Sequence, residues 1–208
     1  MDAVAEVKVG RREKNKIANR QAILDAGLEV FSTIGYDAAT ISDLVKASGL
    51  SVGTFYNYYG DKDFVFAELV DGLLSQSKVA LTEARTQAST LEEFVNDAFN
   101  AYSRVIFLNP GMQRLIVKNT QAFRQFVFGG DKIEGIFSDL EKDMATAIKQ
   151  GILPNFPVRL MTSAIIGAGA EVFAFEGDVS GANPEEKAQF LSDLFLGGMR
   201  YMAAKNEK

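Results

Sequence analysis

The sequence predicts an all-α protein of about nine helices. Apolar side chains recur at helical spacing in several segments, as at Phe94, Ala98 and Tyr102. N-capping sequences stand in front of such segments, for example the Thr-Leu-Glu-Glu of 90–93. Proline is rare, with four residues in 208, and alternating runs of β-branched residues are few. Together these features favour helices over strands.

Four of these helices are predicted before residue 88. The first ends at Gly35, because glycine adopts the positive φ of a helix C-cap at little cost. The second lies between the Thr-Ile-Ser-Asp capping sequence of 40–43 and Gly49. The third begins after Ser51, and the fourth runs from 62 to about 87. The apolar face of the first helix is predicted to consist of Ile17, Leu24, Leu28 and Phe31.

Five further helices are predicted in the rest of the chain. Pro184 stands at the first position of the last one, behind Asn183 and before two acidic residues, which is a favourable order for a helix start. A Phe-rich stretch at 123–128 is assigned to no helix. The five predicted helices are 91–108, 112–118, 132–151, 157–175 and 184–204.

Charge is distributed unevenly along the chain. The net charge is −5, yet basic residues dominate 8–20, while acidic residues dominate after residue 62. A basic end on an acidic body is expected when only that end meets phosphate groups. The alternative is a solvated tail, and residues 1–15 are predicted to be a disordered basic arm. The basic residues of 8–20 are Lys8, Arg11, Arg12, Lys14, Lys16 and Arg20.

Cysteine and histidine are both absent. The chain therefore lacks disulfides, thiol chemistry, the commonest general base and two common metal ligands, so we expect no metal site and no cofactor. Asp139, Glu141 and Asp143 leave acid–base catalysis as an alternative. No nucleophile or metal motif accompanies them, and no enzyme activity is expected.

No membrane or export segment is recognised in the sequence. No run approaches the ~20 apolar residues that a membrane-spanning helix needs. The N-terminal residues include charges but lack the apolar centre of a signal peptide. We therefore expect a cytoplasmic protein with no membrane partner.

The segment 20–62 has the greatest chemical specificity in the chain. A long amphipathic helix, a tight turn, two short capped helices and the start of another helix form the pattern of a helix-turn-helix DNA-binding unit. Its motifs occupy 31–36, 40–44 and 47–62. In these residues the chain resembles the TetR family of bacterial transcriptional regulators.

Two residues depart from the pattern of that family. Tyr59 stands where Phe is usual, and Val45 stands where Ala is usual. The resemblance implies a helix-turn-helix DNA-binding domain at 16–62 and a ligand-binding and dimerisation domain at 63–208. It also implies a homodimer on a palindromic operator in double-stranded DNA, acting as a repressor that a small effector releases. An effector that promotes DNA binding, and a ligand-binding protein with a vestigial DNA-binding unit, remain as alternatives.

DNA contacts are predicted on and around the third helix. Gly53 allows close approach of the backbone, and Thr54 can contact a base edge. The hydroxyl groups of Tyr56 and Tyr58 can reach phosphates, while Phe55 and Tyr59 are predicted to be buried. The alternative roles are capping at positions 40 and 51, a solvated charge at 62, and capping or solvation at 57. The predicted contacts are Arg11, Arg12, Lys16, Thr40, Ser51, Val52, Gly53, Thr54, Tyr56, Asn57, Tyr58 and Lys62.

The resemblance implies an effector pocket between the fourth and eighth predicted helices, in the middle of the chain. Its residues are aromatic or aliphatic and poor in charge, which suggests a small hydrophobic ligand. The alternative for each residue is a place in the ordinary core. The predicted lining is Phe94, Phe99, Tyr102, Phe107, Met112, Leu115, Phe123, Phe126, Phe137 and Leu140.

The last two predicted helices are assigned to a four-helix dimer interface. The first has small residues that permit close helix approach, and the second has large apolar residues. The alternative is that these side chains belong to the core of the monomer. The predicted interface is Ala164, Ala168, Glu171, Phe190, Leu191, Leu194, Phe195, Gly198 and Met202.

Overall fold

The structure is a computed structural model that describes residues 10–129, 132–175 and 181–206. Within these residues it contains helices and no strand, which confirms the predicted all-α fold. The helix α9 continues directly into a π-helical turn at Ala170–Phe175. The ten α-helices are α1 Arg11–Thr33, α2 Ile41–Ser48, α3 Val52–Tyr56, α4 Lys62–Gln87, α5 Leu91–Phe107, α6 Pro110–Lys118, α7 Thr120–Phe128, α8 Lys132–Lys149, α9 Val158–Gly169 and α10 Pro184–Asn206.

The start of α1 differs from the prediction of a disordered arm at 1–15. Residues 11–15 are helical, and Lys14 N donates to Gly10 O at 3.0 Å to close the first turn. Charged residues with high helix propensity extend the helix here without any apolar face. The prediction of disorder at 1–15 rested on the lack of apolar periodicity, which cannot reveal such a turn. Residues 1–9 of the predicted arm lie outside the described residues.

The buried face of α1 also differs from the predicted one. Ile17 is 58% exposed, whereas Ile23, Ala26 and Phe31 are buried. The predicted Leu24 and Leu28 are half-buried. The apolar face is therefore rotated from the one assigned, because Ala and Gly positions contribute to it and were not counted.

Helix α7 was missed in the sequence. A single residue, Asn119, ends α6 and begins α7, and its Nδ2 donates to Leu115 O at 2.7 Å. A one-residue break has neither the glycine nor the proline that marks most helix boundaries. The Phe-rich stretch is consequently a helix of its own, and the described helices number ten rather than nine.

The chain divides into two compact units at Leu69/Val70. The prediction placed the boundary at 62/63, at the start of α4. The structure shifts it because Val65 and Phe66, in the first turns of α4, are fully buried in the first unit. The remaining buried apolar residues of the first unit are Ile23, Ala26, Phe31, Ala39, Leu44, Phe55, Tyr59 and Leu69.

The core of the second unit lies around α5 and α10, which pack against each other. The rings of Phe99 and Phe195 stack with centroids 5.6 Å apart, and Tyr102 meets the edge of Phe173 at 5.3 Å. Ser103 Oγ donates to Pro184 O, at the start of α10. In the described ranges, no helix combines the length and apolar character needed to cross a membrane.

Candidate nucleic-acid interface and effector cavity

Helix α2 begins at a complete capping box. Asp43 N donates to Thr40 Oγ1 at 3.3 Å, and Thr40 N donates to Asp43 Oδ2 at 2.9 Å. The Thr40 hydroxyl also donates to Asp43 Oδ2, at 2.6 Å. These hydrogen bonds from Thr40 hold the pKa of Asp43 below its usual range. The predicted box is confirmed, and it fixes the orientation of α2 relative to the preceding turn.

The turn between α2 and α3 depends on Gly49 and Ser51. Gly49 has φ +68°, a conformation that side chains disfavour, and it serves as the C-cap of α2. Ser51 Oγ accepts from Thr54 N at 3.1 Å, so the predicted N-cap of α3 is confirmed. The hydroxyl oxygens of Ser51 and Thr54 lie 2.8 Å apart and share a hydrogen bond.

Helix α3 exposes one side and buries the other. Phe55 and Tyr59 are buried, as predicted, whereas Val52 and Tyr56 are 56% and 53% exposed. Asn57 is also exposed, and Thr54 and Tyr58 are half-buried. The exposed side thus combines apolar, hydroxyl and amide groups.

Gly53 lies in the centre of this exposed side. A Cβ atom added to Gly53 would meet no atom within 4 Å, so the packing of this chain does not require a glycine there. Gly53 lies inside α3, and its φ is outside the left-handed region that would demand glycine. The missing side chain leaves an opening to the backbone from the outside.

Lys62 is placed differently from both expectations for it. Its Nζ donates to Tyr36 O at 2.7 Å and to Ala39 O at 2.9 Å, and it lies 4.7 Å from the centroid of the Tyr36 ring. The ammonium group therefore ties the start of α4 to the connection between α1 and α2, instead of standing free to meet phosphate. No local sequence signal distinguishes such a lysine from a solvated one.

Tyr59 shows why a hydroxyl is tolerated in this core. Its hydroxyl donates to Glu68 Oε2 at 2.8 Å, and Arg20 Nη2 lies 2.8 Å from Glu68 Oε1. Burial, together with the hydrogen bond to Glu68, raises the pKa of Tyr59 to about 12. The departure from the usual Phe is thus accompanied by a partner on α4 and a counter-charge on α1.

The basic residues of α1 are available at the surface. Arg11, Arg12 and Lys16 are exposed on the first turns of the helix. They were predicted to belong to or follow a flexible arm, and they are instead ordered along one helix. Their positive charges remain suitable for phosphate groups.

The second unit contains a cavity of about 170 Å³. Residues of α4, α5, α7, α8 and α9 line it, together with residues of the π-helical turn. Of the ten predicted pocket residues, five belong to the lining and five do not. Those in the lining are Phe94, Phe99, Tyr102, Phe123 and Leu140.

The other five predicted pocket residues have different surroundings. Met112 and Leu115 are buried on α6, away from the cavity lining. Phe107 packs near Phe173 at 6.5 Å, and Phe137 lies beneath the Arg159 guanidinium at 5.1 Å. The half-buried Phe126 does not line the cavity either. Aromatic content alone could not separate pocket from core in this region.

Most of the cavity wall is apolar, and its charged groups are paired. Lys78 Nζ lies 2.7 Å from Asp139 Oδ2, and Arg85 Nε donates to Asp143 Oδ2 at 2.8 Å. Burial raises the pKa of Tyr102 to about 12.

The predicted dimer residues divide into two groups. Leu191 and Phe195 are buried in the core of their own unit, so the alternative proposed for them holds. Phe190 and Leu194 are more than half exposed. The remaining predicted residues are exposed (Ala164, Glu171, Gly198) or half-buried (Ala168, Met202).

Leu160 and Tyr201, which were not predicted, add to the exposed apolar surface. Both are at least 70% exposed. They lie at helical spacing from Ala164 on α9 and from Leu194 on α10, so each helix has one exposed apolar face. We call this surface the α9/α10 face; it consists of Leu160, Ala164, Gly167, Phe190, Leu194, Gly197, Gly198 and Tyr201.

Comparison with known proteins agrees with the geometry of the first unit. Residues 23–69 match the family model described as bacterial regulatory proteins, tetR family. The chain therefore contains a tetR-family domain in these residues. The match covers the helix-turn-helix and the first turns of α4.

Relatives of this chain are similar over the same segment. It is 40% identical over 57 residues to the uncharacterized HTH-type transcriptional regulator YvdT of Bacillus subtilis, which covers 27% of this chain and 29% of YvdT. It is 33% identical over 60 residues to the HTH-type transcriptional repressor ComR of Escherichia coli, covering 29% of each chain. The chain therefore aligns with less than a third of the length of either relative.

A solved structure extends the similarity of fold to the second unit. The transcriptional regulator FadR from Bacillus subtilis, in complex with stearoyl-CoA, has a TM-score of 0.67 and 18% sequence identity. The comparison covers 84% of this chain and 96% of FadR. At this identity the similarity concerns the TetR-family fold.

One wall of the cavity was not predicted from the sequence. Leu73, Ser77 and Leu81 line it from α4, at spacings of four residues. Their helical spacing was visible in the sequence, but no residue of α4 was included in the predicted lining. A search for polar residues inside apolar helical faces would have singled out Ser77.

Proposed function

We propose that this chain is a ligand-responsive transcriptional regulator, and specifically a repressor that binds a palindromic operator as a homodimer. In this proposal a small hydrophobic effector releases it from DNA. The observation that carries the DNA-binding part is Gly53, a glycine inside an exposed helix that nothing in its own unit requires.

A glycine at this position has a cost in stability. In a helix interior, glycine is about 1 kcal/mol less favourable than alanine, and Gly53, the second residue of α3, bears part of that cost. Because an alanine Cβ would meet open space, that cost is not offset by packing within the chain. Close approach of a DNA backbone or base to α3 is a physical reason for the missing side chain.

The residues around Gly53 have groups suited to DNA. Thr54 and Asn57 can contact base edges, while the Tyr56 and Tyr58 hydroxyls can position the helix on phosphates. The exposed N-terminus of α2 at Thr40 and the basic first turns of α1 supply further sites for phosphate. Ser51 acts through its cap, and Lys62 acts by positioning α4.

Homodimer formation is supported by the α9/α10 face. Phe190, Leu194 and Tyr201 are large, apolar and exposed. Added Cβ atoms at Gly167, Gly197 and Gly198 would meet nothing within 4 Å, so a partner helix can approach closely there. Two subunits related by a twofold axis would place their α3 helices on half-sites about 34 Å apart, or a multiple of that distance.

Effector binding is supported by the apolar cavity of the second unit and by the stearoyl-CoA complex of the structurally similar FadR. Helix α4 contains both cavity-lining residues and buried residues of the first unit. We propose that the effector favours a tilted position of α4 in which the two α3 helices no longer fit successive grooves. Operator DNA must then weaken effector binding by the same factor.

Gly53→Ala tests the DNA-binding part directly. Fragments that the purified protein selects from genomic DNA would first define the operator, and its affinity would be measured at several salt concentrations. We expect Gly53→Ala to weaken operator binding by about tenfold or more, as one obstructed contact costs about 1–3 kcal/mol. The same variant should unfold at an equal or higher temperature than wild type.

Gly72→Ala is the matched control. Gly72 is also exposed inside a helix, and an added Cβ there would meet no atom within 4 Å. It should gain similar helix stability and retain operator affinity. If both variants bind DNA as wild type does, α3 is not the DNA-reading helix. If no fragment with twofold symmetry is selected, the proposed operator-binding dimer is wrong.

A further inference from the structure

We infer that the effector of this cavity is an apolar molecule with one uncharged hydrogen-bonding group, and that the Ser77 hydroxyl is the partner of that group. This inference rests on the effector binding proposed above and specifies its chemistry. It concerns alcohols, ketones and esters of hydrocarbons rather than free carboxylic acids.

Ser77 is a buried residue of the cavity wall whose hydroxyl lacks a partner in the described part of the chain. The residue is 5% exposed, it lines the cavity, and its Oγ has no hydrogen-bond partner among the described residues. A buried hydroxyl without a partner destabilises the free protein, because it has lost its hydrogen bonds to water. A ligand atom that accepts from or donates to Oγ would remove this cost on binding.

The second argument is a contrast with other helical hydroxyls of the chain. Thr86, Thr146 and Ser163 each donate to the carbonyl oxygen four residues earlier, at 2.7–3.0 Å. This is the usual way in which such a side chain is satisfied within a helix. Ser77 has an equivalent position on α4 and makes no such bond. The Ser77 hydroxyl is therefore available to form a hydrogen bond with a ligand in the cavity.

The third argument concerns charge. The two cations in the lining, Lys78 and Arg85, are already paired with Asp139 and Asp143. A buried carboxylate would therefore find no spare positive charge among the lining residues, and an unpaired buried ion is much more costly than an unpaired hydroxyl. A neutral polar group satisfies Ser77 without that penalty.

The rest of the cavity lining is mostly apolar. Leu73, Phe99, Val127 and Ile166 are typical of it, and they offer only dispersion contacts. A cavity of about 170 Å³ is slightly larger than the ~150 Å³ cavity that accepts benzene. It suits a small apolar molecule.

The probes are three eight-carbon compounds: 2-octanone, 1-octanol and octanoate. Their dissociation constants would be measured by titration calorimetry at neutral pH, where the carboxylate is ionised. We expect the ketone and the alcohol to bind at least tenfold more tightly than octanoate. Tighter binding of octanoate would overturn the inference.

Ser77→Ala and Ser75→Ala form the matched pair of variants. Ser75 lies on the same helix and is exposed. Ser77→Ala should weaken ketone binding about three- to tenfold, the range expected for one hydrogen bond, whereas Ser75→Ala should not. Because Ser77→Ala removes an unsatisfied hydroxyl, the free variant should melt at the same or a higher temperature.

The possible results separate this inference from the proposed function. Equal ketone binding by wild type and Ser77→Ala would show that Ser77 is not the partner. Absence of binding by all three probes would overturn the inference, while operator binding by the same preparation would leave the DNA-binding proposal standing. If the ketone binds through Ser77 but does not release the operator, the inference holds and the proposed regulation fails.

Discussion

The two compact units differ in whether a buried side-chain hydroxyl lacks a hydrogen-bond partner. In the first unit, the Tyr59 hydroxyl has Glu68 as its partner, and the Lys62 ammonium has backbone carbonyls. In the second unit, the Ser77 hydroxyl is left without a partner beside a cavity. A unit whose polar groups are all mutually satisfied favours a single arrangement, whereas an unsatisfied cavity wall favours whichever state supplies the missing partner.

This difference suits the two proposed tasks. Reading DNA requires that α3 be held in a fixed position, and the capping of α2 and α3 by Thr40 and Ser51 does this locally. Responding to an effector requires two states whose relative free energy changes when a ligand fills the cavity. The following substitutions test this difference between the two units.

Arg85→Met should have the largest effect on stability. Arg85 is 7% exposed and paired with Asp143, so its removal leaves a partly buried carboxylate without a counter-charge. We expect a loss of about 3 kcal/mol in the free energy of unfolding, measured by urea denaturation. The double variant Arg85→Met/Asp143→Leu should recover most of this loss.

An exposed pair of the first unit provides the contrast. Arg20 is 57% exposed and paired with Glu68, and Arg20→Met should cost at most about 1 kcal/mol. A larger cost for Arg20→Met than for Arg85→Met would show that burial does not determine how much these ion pairs contribute to stability.

Ala98→Leu should have an intermediate effect of opposite sign. Ala98 lines the cavity, so the larger side chain can occupy empty space. We expect a gain of about 0.5–2 kcal/mol in unfolding free energy, together with loss of ligand binding and unchanged operator affinity in the absence of ligand. Calorimetric titration and thermal melting would measure both.

Ala101→Leu on the same helix is the control for this change. Ala101 is buried but does not line the cavity, so overpacking should cost about 1–3 kcal/mol. If Ala98→Leu destabilises the protein as much as Ala101→Leu does, the cavity is not open to side chains or ligands.

Tyr59→Phe should have a small effect. It removes one hydrogen bond to Glu68 while the ring remains, and Arg20 still pairs with that carboxylate. We expect a loss of about 1 kcal/mol in unfolding free energy and little change in operator affinity once folded. Tyr56→Phe should do the reverse, with unchanged stability and weaker DNA binding, because Tyr56 is exposed. Equal stability changes in the two variants would argue against the network around Tyr59.

Local sequence signals predicted the helix-turn-helix well. The capping box at 40–43, the positive φ of Gly49 and the cap at Ser51 depend on residues within three positions of one another, and all are found in the structure. Each is determined by backbone geometry, which short sequence motifs encode directly.

Features that depend on distant residues were harder to predict. Examples are the cavity wall on α4, the hydrogen bonds of Lys62 to backbone carbonyl groups and the buried position of Leu191. Predicting each of them requires knowledge of which helix faces pack together. Helical periodicity identifies an apolar face but not its partner. The helical start of α1 was not predicted for the opposite reason. An exposed helical turn packs against no core, so its sequence shows no apolar periodicity.

The shortness of α3 limits how much information it can read. Five residues at ~1.5 Å each span about 7.5 Å, or roughly two base pairs. Two such helices would specify about four base pairs, or eight bits, whereas locating one site among ~10⁶ competitors requires about twenty. The remaining bits must then come from outside α3, through the basic turns of α1 and the sequence-dependent stiffness of the DNA. Sequence preference in the operators of this chain should therefore extend to bases beyond the reach of α3.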